Sequence, residues 1–161
     1  MINLFKNRSS YLKGILILFV VSVWSACDKQ IVYHAFQPLP TQGWQREDTL
    51  FFRVEVPDSL TYYKFSVEIR NNNNYPYQNL PLSICYSSPD AIALPADTLQ
   101  LTLANPEGIW KGDGIGGLYQ SAFPAGSIRI GRPGIYLFKV IYTLPDESLQ
   151  GINDIGLKLL K

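Results

Sequence analysis

The sequence predicts an all-β chain: an antiparallel β-sandwich, of jelly-roll or immunoglobulin-like type, behind an N-terminal leader. Three observations carry that expectation. Apolar and polar residues alternate with period two along run after run beyond residue 30, as in strands with one face on a core. Eleven prolines and twelve glycines break those runs at short intervals. Aromatic residues make up 13% of the chain, which favours strands, and no amphipathic helical period follows the leader.

Residues 1–26 have the layout of a secretory signal peptide. Lys6, Arg8 and Lys13 form a basic head, residues 15–24 are apolar apart from Ser22, and small Ser25 and Ala26 precede Cys27. A cysteine directly after such residues reads as a bacterial lipoprotein signal, with the Cys27 thiol acylated and Cys27 first in the mature chain. The apolar run is half the roughly 20 residues a bilayer span needs. The expected organisation is therefore a leader over 1–26 and one extracytoplasmic domain over 27–161, held to a membrane by lipid on Cys27.

Removing the leader takes three of the 14 basic residues and none of the 13 acidic ones, so the net charge moves from +1 to −2. That balance excludes a nucleic-acid footprint. No polybasic run remains to bind anionic lipid, so the lipid itself must anchor the chain. With Cys27 assigned to lipid, Cys85 has no disulfide partner and reads as a packed, inert thiol in a strand.

The elements follow in order. Residues 31–36 form a short first strand ended by Pro38 and Pro40, so the domain begins close to the lipid. Residues 49–56 alternate cleanly, with Leu50, Phe52, Val54 and Val56 on one side. Residues 61–70 alternate again, with Tyr63, Phe65, Val67 and Ile69 inward. Four asparagines, 71–74, read as a hairpin loop. The return strand runs to Tyr86, and Pro76 and Pro81 assign it to a sheet edge or a bulge. After a loop over 87–97 comes a strand over 98–103, then a glycine-rich segment, 110–119, read as a mobile or tightly turned loop. A short strand over 127–130, a nearly continuous apolar and hence central strand over 135–143, and a last strand ending at Leu159 complete seven or eight strands.

Chemistry is sparse. Gly112-x-Gly114-x-x-Gly117 matches a dinucleotide fingerprint as a string, but neither the strand before it nor the helix after it is present. His34 is the sole histidine, which leaves neither a zinc set nor a hydrolytic triad. Asp90, Asp97, Asp113 and Asp154 lie in turns, where oxygen ligands could hold calcium; solvated turn carboxylates are the plainer reading. Glu47, Glu55 and Glu68 read as surface acids. The expectation is no enzyme, no cofactor and no metal. Trp44, Tyr75, Tyr77, Trp110 and Tyr119 fall at loops or strand ends, where they either contact a protein partner or a sugar or close the core as lids.

Several segments occur together in order: the leader, Gly43-Trp44, Arg70-Asn71 through Tyr75-Pro-Tyr-x-Asn-Leu80, Asp97-Thr-Leu99, Gly108-Ile-Trp-Lys-Gly-x-Gly114, Gly134-Ile-Tyr-x-Phe138 and Leu149-x-Gly-Ile-x-Asp-Ile-Gly156. Their ordered sum resembles the gliding-motility lipoprotein GldH family of Bacteroidota. The resemblance implies a cell-envelope lipoprotein, with an outer-membrane position favoured over an inner one. It implies a place with the machinery that moves surface adhesins and overlaps with type IX secretion, a protein partner in the envelope, and no catalytic residues. A carbohydrate-binding lipoprotein using the loop aromatics is the alternative.

Overall fold

A computed structural model describes residues 31–58, 60–88 and 97–161. Cys27, the leader and Asp90 lie outside the described residues. Among the described residues eleven strands follow one another: β1 (Ile31–Pro38), β2 (Trp44–Gln45), β3 (Leu50–Val56), β4 (Thr61–Asn72), β5 (Asn79–Ser87), β6 (Asp97–Thr102), β7 (Asp113–Ile115), β8 (Leu118–Ile130), β9 (Gly134–Tyr142), β10 (Ser148–Leu149) and β11 (Ile152–Leu160). One antiparallel sheet has the order β1-β11-β4-β8-β7, and a second has the order β3-β9-β5-β6. A two-stranded ribbon, β10-β2, sits beside them. The all-β sandwich expected from the alternation is what the chain forms.

The core is the sum of the inward rows. Leu50, Phe52, Val54 and Val56 of β3 face Tyr63, Phe65, Val67 and Ile69 of β4, with Phe138 and Val140 of β9 and Ile155, Leu157 and Leu159 of β11 filling the space between. Phe52, Phe138, Leu80, Leu82 and Ile155 are wholly excluded from solvent. Each such side chain contributes about 1.5–3 kcal/mol by burial. The β9 strand lies between β3 and β5, the central place its continuous apolar run predicts.

Four expectations need correction. First, the asparagine run is no hairpin loop. Asn71 and Asn72 continue β4, and only 73–74 turn, because the chain crosses there from one sheet to the other; β4 pairs with β8 and β11, and β5 with β6 and β9. Second, β5 is an inner strand. Pro76 precedes it, and Pro81 is tolerated because its carbonyl accepts from Thr143, just past the last residue of β9, so its missing donor falls where the ladder ends. Third, β8 has 13 residues, not four. The strand runs on through Pro124 and Gly126, which sit at a bulge where the β4–β8 register shifts between Phe65 and Ser66. Fourth, Cys85 lies half-buried on the outward row of β5, beside Lys139, rather than in the core.

Strand direction gives the sandwich two ends. Ile31, Thr61, Ile130, Gly134 and Leu160 mark the end where β1 begins, here termed proximal. Pro38, Asn72, Leu118, Tyr142 and Ile152 mark the distal end. An eight-residue β1 separates the two by roughly 25 Å.

Candidate functional site

All five aromatics singled out in the sequence gather at the distal end, and four of them form one ladder of rings. Tyr77 meets Tyr75 edge-on at 5.8 Å, Tyr75 meets Trp110 at 6.3 Å, and Trp110 meets Tyr119 at 6.1 Å. The ladder has two halves. Tyr75 is 3% exposed and lies in the core, whereas Tyr77 is 36% exposed and Trp110 and Tyr119 are half-buried. Trp44 stands apart, wholly buried, its ring edge-on to Tyr142 at 5.1 Å and its indole N–H donated to the Asp48 carbonyl at 3.0 Å. Trp44 and Tyr75 are thus lids on the core. The surface consists of Tyr77, Trp110 and Tyr119.

Local chemistry holds these rings. The Asn72 side chain accepts from the Asn74 backbone N–H at 2.8 Å, which shapes the turn after β4, and Asn73 then accepts from the Trp110 indole at 2.9 Å. The Tyr75 hydroxyl donates to the Asn79 carbonyl at 2.8 Å. The Tyr77 hydroxyl donates to both Asp146 carboxylate oxygens, at 2.8 and 3.0 Å. Burial, then the neighbouring Tyr77 and Asp146, pushes the Tyr75 phenol well up, and the bond to Asp146 raises Tyr77. Both phenols therefore stay protonated at neutral pH and act as fixed donors.

The glycine-rich segment is a hairpin. Gly116 and Gly117, at φ of 60° and 82°, make the two-residue turn between β7 and β8, with Ile115 paired to Leu118. Gly114 lies under the Tyr119 ring, and a Cβ there would meet that ring at 2.7 Å. The tight turn expected from the glycines is present, and the apparent dinucleotide fingerprint is hairpin chemistry. This hairpin also presents apolar residues that the sequence reading missed. Ile115 is 88% exposed and Ile109, next to Trp110, is 65% exposed, with Leu118 exposed beside them. An Ile and a Leu flanking Gly-Gly were the available signal.

A second cluster, also missed, lies on the outer face of the five-stranded sheet. Glu68 is 5% exposed, paired to His34 at 3.3 Å and accepting from Gln120 at 3.2 Å. Arg70 donates to Gln120 at 2.8 Å and stacks on Phe36 at 3.9 Å. Glu68 is therefore a buried acid, not the surface one expected; Glu47 and Glu55 are exposed. Asp97, Asp113 and Asp154 start three different strands or lie within them, and no group of three or more His, Cys, Asp or Glu that could hold a metal occurs among the described residues.

Fold and surface together define a class: an antiparallel β-sandwich with a patch of rings and aliphatics exposed at its distal end. Residues 31–159 match the model of the GldH lipoprotein family, so the chain belongs to that family. It is 29% identical over 152 residues to the gliding motility lipoprotein GldH of Flavobacterium johnsoniae, covering 91% of this chain and 94% of that protein. It is 27% identical over 152 residues to a GldH homolog of Christiangramia forsetii, covering 89% of this chain and 92% of that one. Among solved structures, a chain described as the structure of infectious bursal disease virus Gt strain is similar, with a TM-score of 0.36 and 12% identity over 84% of this chain; this chain spans 30% of the viral one. The protein is a membrane-anchored gliding-motility lipoprotein of the cell envelope.

Proposed function

We propose that the protein is a non-catalytic component or accessory of the gliding and type IX secretion-linked machinery, lipidated at Cys27 in the outer membrane, and that it holds a protein partner at its distal end. One observation carries this reading. Tyr77, Trp110 and Tyr119, with Ile109, Ile115 and Leu118, stand at the end opposite Ile31, where the chain arrives from the anchor. Exposed aliphatics around fixed rings suit a protein hot spot. A sugar prefers an open, flat ring face. Here successive rings tilt by 47° and 41°, and the Trp110 N–H is already engaged. His34 is likewise committed to Glu68 rather than poised beside a nucleophile.

The test is photo-crosslinking in cells from a reactive residue placed at Ile109, exposed in the same patch. A defined envelope protein should be captured, and Trp110→Ala with Ile115→Asp should weaken its binding by about 30-fold, as loss of a hot spot of ~2 kcal/mol implies. An unchanged crosslink pattern in the double variant overturns the reading.

A further inference from the structure

The proximal end carries a surface that the distal contact does not use. Leu160 pairs with Ile31, the first residue of β1. Leu160, Lys64, Ser66, Ala122, Pro124 and Ser127 line an open groove of about 520 Å³ on the outer face of the five-stranded sheet. The groove runs beside the β4–β8 bulge, where small residues and a proline leave the sheet surface bare.

Register places cations around it. Arg129 lies opposite Tyr62, Lys64 opposite Ser127, and Lys158 opposite Ser66, all on outward rows. Neither Lys64, Arg129 nor Lys158 has a carboxylate partner among the described residues. The acids nearby are already engaged: Asp58 pairs with Lys161 at 2.6 Å, and Glu68 is held by His34 and Gln120. Next to the cations, Tyr62 is 65% exposed, Leu60 73% and Ile31 50%. Leu60 is moreover held at φ 54°, a conformation that leucine adopts at a cost, with its side chain turned to solvent. Along the chain these cations form no basic run, but the sheet brings them together from β4, β8 and β11.

Lysine and arginine around a tyrosine and bare aliphatics are what a membrane interface favours. We propose that this proximal face lies on the bilayer that carries the anchor, with its cations on anionic headgroups and with Tyr62, Leu60, Ile31 and the groove walls at the level of the first acyl carbons. The inference rests on the reading of Cys27 as the lipidated residue. Cys27 precedes Ile31 by four positions, a reach of at most about 14 Å, so the lipid cannot carry this end far from the surface.

The experiment uses the full lipoprotein in phosphatidylcholine vesicles, with and without phosphatidylglycerol, whose acyl chains carry bromine as a tryptophan quencher. Tyr62→Trp should be quenched roughly threefold more than Ile115→Trp, and the excess should fall in the absence of phosphatidylglycerol or at 1 M salt, where the screening length is about 3 Å. The triple variant Lys64→Gln, Arg129→Gln, Lys158→Gln, checked for an unchanged melting curve, should lose the excess too. If the protein fails to float with vesicles, the anchor reading falls and the docking inference falls with it. If it floats but Tyr62→Trp and Ile115→Trp are quenched alike, docking alone is overturned. Quenching that ignores both charge and salt overturns the headgroup contact.

Discussion

The two ends of the sandwich fasten their aromatic residues differently. At the distal end the buried rings give their polar atoms to backbone: Trp44 to the Asp48 carbonyl, Tyr75 to that of Asn79, and Tyr142 to that of Asp146. The surface rings there, half-buried Trp110 and exposed Tyr77, give theirs to side chains, Trp110 to Asn73 and Tyr77 to Asp146. At the proximal end Tyr136 follows the backbone pattern, bonding the Arg132 carbonyl, but Tyr63, wholly buried, reaches an exposed carboxylate, Asp58, at 3.2 Å. A backbone acceptor is fixed by the fold, whereas a side-chain acceptor can turn away. At the distal end residue type does not separate lid from surface, and the acceptor does; at the proximal end Tyr63 breaks that rule.

The largest effect should come from breaking a lid. Trp44→Ala removes a wholly buried indole, the Asp48 bond and the edge contact with Tyr142. A loss of about 3–5 kcal/mol in urea unfolding is expected. Tyr77→Phe, by contrast, should leave the unfolding midpoint nearly unchanged, since its bond is exposed. A Trp44→Ala loss as small as that of Tyr77→Phe would erase the distinction between lid and surface.

That distinction also marks what the sequence could convey. The inward rows of β3, β4 and β11 were legible because alternation and burial are the same fact written twice. The length of β8 was not, because Pro124 and Gly126 look alike at a bulge and in a loop. The asparagine turn was misread because the same turn chemistry serves a hairpin and a crossing between sheets. At the site, Tyr77, Trp110 and Tyr119 were legible as loop aromatics. The burial of Trp44 and Tyr75 was not, since it depends on Tyr142 and Asn79 being brought beside them. The His34–Glu68 pair and the proximal cations each arise from strands far apart in the chain, so no local pattern announces them.

An intermediate effect tests the distal end from inside. Asn71 is 0% exposed, and both atoms of its amide lack a hydrogen bond among the described residues. An unpaired buried amide costs about 1–3 kcal/mol. Asn71→Leu, of similar volume, should therefore raise stability by about 1 kcal/mol or more in the same urea assay. A destabilised variant would mean that this amide has a partner, and that the distal end is fastened by more than its rings.

The smallest effect lies at the proximal end. The Lys161 ammonium, hydrogen-bonded to Asp58 at 2.6 Å, holds its carboxyl below the usual carboxylate range. A depressed folded pKa adds stability above the unfolded value, and that stability is lost as pH falls through the folded one. Both partners are exposed, with side chains 42% and 40% accessible, so solvent and salt screen the pair and little stability is at stake. Asp58→Asn should lower the melting temperature slightly at neutral pH, and the gap should close in acid well below the ordinary carboxylate range. A gap that persists in acid would assign the effect to the Tyr63 bond rather than to charge, and the proximal end would then be held as firmly as the distal one.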